Sequence, residues 1–291
     1  MSLNSGDLEI TFNTFSITSN EYRHGEQRSI GGLQWGIFCK YYARTARLVF
    51  GCVASKKAAF LLNATAKVNY EVLVNDKSVK TESLHRRCHQ YYFEFNSQNI
   101  QSGAVTIRIH LDFERIQLID IDQYQEETNN VKIVLKDDKA IYLSKQVLSL
   151  HSPYFANKLK SDNFAEGQTK VVKLDDIELS WSFSALLHRI YGFNISYADF
   201  DEEELRIVLK LADRFQVMTM VEEIEDFLMS KPIEKRKEWF KEAELYSLKV
   251  LMKSLIDDLS IAEIKKIYNT FTSKNISFDT MEAMMNRMCL S

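Results

Sequence analysis

The chain reads as a multi-domain protein: an antiparallel β-sandwich, then an α+β domain, then a C-terminal helical extension. Three observations give this order. The first 113 residues hold short segments of period two and no convincing helix. Residues 130–229 open with two short alternating strands and pass into helices of period 3.6. Residues 230–291 carry only helical periodicity. At 291 residues and 45% hydrophobic content, the chain is long enough for two packed cores. The expected boundaries are 8–113 for the sandwich, 114–129 for a linker, 130–229 for the α+β domain and 230–291 for the extension.

Within the sandwich, Ala66 to Val74 alternates as a half-buried strand and ends at the turn pair Asn75-Asp76. Val105, Ile107, Ile109, Leu111 and Phe113 form a second run of period two. Weaker strands are expected around Trp35–Phe38, Arg47–Val53, Ala59–Leu62 and Tyr91–Phe95. The linker is apolar at Ile116, Leu118, Ile119 and Ile121 and polar from Gln123 to Asn130. An apolar patch of that kind needs cover, either from a second subunit or from the chain's own sandwich.

In the third segment, Val131, Ile133 and Leu135 alternate with polar neighbours, as do Ile141 and Leu143 after the turn Asp137-Asp138-Lys139. Ser144 is placed to cap a helix carrying Val147, Leu148 and Leu150, and Pro153 suits the first turn of the next. The sets Phe183/Leu186/Leu187/Ile190, Leu205/Val208/Leu209/Ala212 and Val217/Met220/Val221/Ile224 each fall at i, i+3, i+4 and i+7, the signature of buried helix faces. Asp201-Glu202-Glu203-Glu204 puts acid at a helix N-terminus, where the dipole favours it. After Pro232, Leu248, Leu251, Met252, Leu255 and Leu259 mark one helix. Ser260 with Glu263 is a capping box for another, burying Ile264, Ile267, Tyr268 and Phe271. Ser277 caps a last helix with Met281, Met284, Met285 and Met288, a stripe better suited to core than to a binding groove.

Composition excludes several classes of function. A net charge of -3 gives no general pull toward nucleic acid or an anionic membrane. No apolar run reaches the length of a membrane-spanning helix, and the N-terminus lacks a secretory signal, so a cytoplasmic or nuclear location is expected. Cys39, Cys52, Cys88 and Cys289 form no close pair, and the six histidines are scattered; no metal site and no cofactor are expected. There is no Gly-rich phosphate loop, nucleophile elbow or helical His pair, so the chain is not expected to be an enzyme.

The run Ser144-Lys145-Gln146-Val147-Leu148-Ser149-Leu150-His151-Ser152-Pro153-Tyr154-Phe155 resembles the centre of a BTB/POZ domain. Phe164-Ala165-Glu166, Val172 to Ile177, Leu187 to Gly192 and Leu209 to Val217 follow in that family's order. The first half resembles a MATH domain, also called TRAF-like, through Phe15-Ser16-Ile17, Ser29 to Ile37 with its glycine-led Trp35, and the closing strand Gly103–Phe113. MATH followed by BTB is a recurring order, well known in nematode chains, and the helical tail resembles a truncated BACK-type extension.

What the resemblance implies is an adaptor. The MATH-like domain would bind an extended target peptide along a sheet edge, and the BTB domain would bind cullin-3 and dimerise. Catalysis would belong to the other subunits of the ubiquitin ligase. Phe164, Ala165 and Glu166 fit the hydrophobe-x-Glu pattern of cullin-binding relatives, and Tyr191 stands where related domains touch the cullin. The Tyr191 hydroxyl has a local hydrogen bond as its other reading. The resemblance assigns Leu118, Ile119 and Ile121 to a homodimer interface, with packing on the chain's own sandwich as the competing reading. Tyr91, Tyr92 and Phe93 are candidates for a peptide groove, against a reading in which Phe93 is core. Asn130 and Ser144 stand where many BTB domains have an aspartate and a histidine, so that buried polar pair is expected to be lost. A dimeric scaffold without a role in ubiquitination is the alternative function.

Overall fold

The computed structural model describes residues 4–14, 22–54, 60–88, 92–160, 165–270 and 276–289. Packing divides the chain into two compact units, Met1–Asn129 with Ala140–Tyr142, and Asn130–Lys139 with Leu143–Ser291.

The first unit contains eight strands among its described residues: β1 (Ser5–Asn13), β2 (Arg23–Ile30), β3 (Leu33–Tyr42), β4 (Arg47–Ala54), β5 (Phe60–Val74), β6 (Lys77–Arg87), β7 (Tyr92–Ser97) and β8 (Ala104–Asp120). They form two four-stranded sheets, in the orders β1-β8-β5-β6 and β2-β3-β4-β7. Every strand pair in them is antiparallel. Alternation decides which side chains meet between the sheets. Trp35, Ile37, Phe50 and Cys52 from one sheet join Leu8, Val68, Tyr70, Ile107 and Phe113 from the other in one core. Trp35 is fully buried, 5.7 Å from the Phe93 ring and 5.2 Å from that of Phe113.

The Asn75-Asp76 turn is where the sequence placed it. Both residues take positive φ, 50° and 62°, the backbone of a two-residue hairpin whose twist matches the flanking strands. Asn75 tolerates that region partly because its Oδ1 accepts from the Ala104 amide at 3.0 Å.

β8 runs on to Asp120, into the segment read as a linker. Leu118 lies opposite Leu62 and Ile119 opposite Leu61 on β5, with a register shift between Thr65 and Ala66. The apolar residues after Phe113 therefore continue the sheet.

A three-stranded sheet follows in the sequence, β9 (Val131–Leu135), β10 (Ala140–Leu143, of which Ala140–Tyr142 group with the first unit) and, later, β11 (Val171–Leu174), in the order β10-β9-β11, with β11 parallel to β9. Around them are α1 (Lys145–His151), α2 (Pro153–Lys158), α3 (Ala165–Thr169), α4 (Trp181–Ile190), α5 (Glu202–Arg214) and α6 (Met218–Met229). The extension is α7 (Ile233–Lys237), α8 (Phe240–Leu245), α9 (Lys249–Asp258), α10 (Ile261–Thr270) and α11 (Phe278–Cys289). All three expected i, i+3, i+4, i+7 sets are buried. Phe155 and Phe215 stack at 5.3 Å with planes 6° apart, and Phe183 packs on Phe215 at 5.9 Å.

The caps follow the sequence closely. Ser144 and Ser152 accept from Val147 and Phe155 amides, Ser277 accepts from the Thr280 amide, and Ser260 with Glu263 closes a reciprocal box. Asp201 and Glu204 form a second box on α5, where the sequence showed only favourable acid.

One expectation of core packing, that for the methionine stripe, is corrected in part, and Leu150 stands apart from the buried side of α1. Leu150 is 76% exposed, because it sits two residues beyond buried Leu148, about 200° around the helix. Of the methionine stripe, Met284 is fully buried but Met285 is 48% exposed, about 100° away. Phe271 lies outside the described residues, as does the Tyr268 side chain; Ile264 is buried as expected. Among the described residues no helix is long and apolar enough to cross a membrane.

Candidate functional site

The candidate face of the second unit is built from α1 to α3 and the end of α4. Phe164 lies outside the described residues. Ala165, exposed, and Glu166, half-buried, form the first turn of α3. The Glu166 Oε1 accepts from Lys158 Nζ at 3.0 Å, joining the end of α2 to the start of α3. Its own backbone amide, and then the Lys158 ammonium, hold the Glu166 carboxyl below the usual carboxylate range. The same hydrogen bond raises the Lys158 ammonium.

Tyr191 follows directly on α4 and is half-buried. Its hydroxyl accepts from the Ser144 amide at 2.8 Å, and burial pushes its pKa up. The local hydrogen bond weighed for this hydroxyl is therefore present. Asn130 Oδ1 accepts from the Lys145 amide at 3.0 Å. Asn130 and Ser144 both serve the N-terminus of α1 through its backbone amides. With Tyr191 they satisfy the amides of Ser144, Lys145 and Val147. Below this face, fully buried Ser152 donates to the Phe215 carbonyl at 2.5 Å while capping α2. His188 Nδ1 lies 2.6 Å from the Ser184 carbonyl and is buried, a structural histidine.

The partnership of Lys158 with Glu166 was missed in the sequence, because the two lie on different helices and no local periodicity pairs them. A bidentate Arg189–Glu223 pair, joined by the Tyr197 hydroxyl at 2.8 Å, was missed for the same reason.

In the first unit, Tyr91 lies outside the described residues, and Tyr92 is half-buried. Phe93 is 2% exposed and packs on Trp35, so it is core. On β6, His85 Nδ1 lies 2.8 Å from a Glu114 carboxylate oxygen. Leu118 is 47% exposed, Ile119 half-buried and Ile121 buried at 1% within the single chain. The Ile121 carbonyl accepts from the Tyr142 amide at 2.8 Å. Among the described residues no cluster of His, Cys, Asp or Glu is arranged to hold a metal, and the Cys39, Cys52 and Cys88 side chains are buried. Burial raises the Cys39 thiol to about 12.

Residues 121–232 match the family model of the BTB/POZ domain. BTB and MATH domain-containing protein 36 of Caenorhabditis elegans is 27% identical over 223 residues, 76% of this chain and 67% of its own length. BTB and MATH domain-containing protein 15 of the same nematode is 30% identical over 156 residues, 54% of each chain. The chain thus carries a BTB/POZ match at residues 121–232 and is similar to BTB and MATH domain-containing proteins. The antiparallel sandwich followed by the BTB domain and helices is the architecture expected of a MATH-BTB chain. The matches span about half to two thirds of those relatives' length. Among solved structures, the Avr2 effector protein of the fungal plant pathogen Fusarium oxysporum aligns over 36% of this chain and 87% of its own, at 8% identity and a TM-score of 0.22, a likeness that carries no argument.

Proposed function

We propose that this chain is a substrate-recruiting adaptor of a cullin-3-type ubiquitin ligase. The sandwich, 8–113, binds the target protein. The BTB domain, 130–229, binds cullin-3 through Phe164, Ala165, Glu166 and the ring of Tyr191, and it dimerises. The segment 114–129, which begins as the end of β8, leads into the BTB domain, the extension 230–291 follows it, and the chain works in the cytoplasm or nucleus. Proximity is its contribution to catalysis, since the transfer chemistry resides in partner subunits. The observation that carries this reading is the pairing in one chain of a BTB/POZ match with a preceding antiparallel sandwich. For the dimer, Leu150 on α1 at 76% and Leu118 at 47% exposure are better placed than buried Ile121 to meet a second subunit.

One observation favours the second reading, a dimeric scaffold that does not engage cullin: Glu166 and the Tyr191 hydroxyl already have internal partners. Calorimetric titration with the N-terminal domain of cullin-3 separates the two. The adaptor reading expects submicromolar binding that is lost in Phe164→Ala/Glu166→Ala. A folded wild type that does not bind leaves the scaffold.

A further inference from the structure

We propose that Lys158 is a positioning residue of the candidate cullin-3 face, acting through its bond to Glu166 and not by touching the partner. This rests on the adaptor reading and adds a residue from outside the Phe164-Ala165-Glu166 tripeptide. The two ends of the bond stand on unequal ground. Lys158 ends α2, a helix fixed to the core of its unit. There Ser152 caps the first turn, Phe155 stacks on Phe215, and Leu159, the residue after Lys158, is buried. Glu166 is the second residue of α3, whose five residues fall far short of a helix that stands alone in water.

The far end of α3 has its own support. The Thr169 hydroxyl donates to the Ala165 carbonyl at 2.9 Å, and the Lys170 amide donates to the Glu166 carbonyl at 2.8 Å before β11 begins. At the near end, Lys158 Nζ reaches from α2 to Glu166 Oε1 at 3.0 Å. Both side chains are part-buried, so water screens the pair and it adds little to global stability. Its effect is local: it sets where the first turn of α3 starts and where the Glu166 carboxylate points. Without it, a partner has to order that turn on binding, and the ordering subtracts from affinity. Lys158 is thus coupled to cullin-3 binding at one remove, and its loss takes away most of what Glu166 contributes.

The test titrates the N-terminal domain of cullin-3 into the full chain as wild type, Lys158→Met, Glu166→Gln and the double variant. Amide hydrogen exchange of α3 is followed in the same samples without cullin. Methionine keeps an unbranched stem and removes the ammonium. Each single change should weaken binding about five- to tenfold and the double variant no further, the non-additivity of residues that act as a pair. The α3 amides should exchange about tenfold faster in Lys158→Met, with the α5 amides and the melting temperature unchanged. Lys158→Gln takes the place of the methionine should that variant fail to fold. Wild-type affinity in Lys158→Met, losses that multiply in the double variant, or α3 exchange at the wild-type rate would each overturn the inference. Failure of the folded wild type to bind overturns the adaptor reading and this inference with it. Equal binding by wild type and Lys158→Met overturns this inference alone.

Discussion

The two units spend their polar side chains differently. Around the candidate face of the BTB unit, Asn130, Ser144, Ser152 and Tyr191 bond backbone groups, and Glu166 bonds Lys158. Nearly all of that hydrogen-bonding capacity is turned inward, so what remains to offer a partner is shape and apolar surface on a rigid frame. On the outer face of the sandwich sheet β2-β3-β4-β7, Lys40 and Arg47 are held by rings and have no carboxylate partner among the described residues. The opposite sheet of the same sandwich is a control. There Arg108 sits between Glu9 and Glu71, and His110 meets Asp7 at 2.8 Å. One chain thus holds a candidate frame whose polar groups bond inward, a sheet with ion pairs at Arg108 and His110, and a sheet on which Lys40 and Arg47 lie against aromatic rings.

The largest expected effect sharpens the first half of this contrast. Phe215→Ala should cost about 3–5 kcal/mol in urea unfolding, because it removes the ring that Phe155, Phe183 and Tyr154 pack upon. Lys40→Gln should stay within about 0.5 kcal/mol, as expected of a surface side chain not engaged in folding. Equal costs for the two would break the contrast.

Ser152→Ala comes next, at about 1–3 kcal/mol, since it strips the Phe215 carbonyl of a buried donor and α2 of its cap. Tyr191→Phe should cost about 1 kcal/mol of stability, through the Ser144 amide, and leave cullin-3 affinity nearly unchanged. A tenfold loss of affinity with unaltered stability would mean that the hydroxyl faces a partner after all.

The fold was legible wherever one face of an element is buried. The strand ending at Asn75-Asp76, the run Val105–Phe113 and the three helical sets could be read because burial imposes a period on the sequence. Leu150 shows the limit: in a helix as short as α1, one apolar residue off the buried stripe looks like its neighbours. The BTB blocks were legible as ordered motifs, while the bonds that organise the candidate site were not. Lys158 with Glu166 and Tyr191 with Ser144 join residues eight and 47 apart, and no local pattern encodes such a meeting. The ring clamp on Lys40 was equally hidden, because Tyr22 belongs to another part of the chain and only the sheet brings it near.

The smallest effect is in the pH dependence of the extension. Bonds from the Ser260 hydroxyl and amide, and then from Lys237, hold the Glu263 carboxyl at about 2. A depressed carboxylate contributes stability that is present above its ordinary value and is lost as pH falls through the folded one. Acid titration of helicity should therefore show a loss between about pH 4.5 and 2 that is reduced in Glu263→Gln. An unchanged profile would mean that the capping box contributes nothing measurable.

The most direct measurement titrates the N-terminal domain of cullin-3 into three folded chains: wild type, Phe164→Ala/Glu166→Ala and Lys40→Glu/Arg47→Glu. Wild type and the sandwich variant should bind alike, at submicromolar affinity, and the Phe164/Glu166 variant should not. Absence of binding by wild type, or full binding by the Phe164/Glu166 variant, would contradict the account.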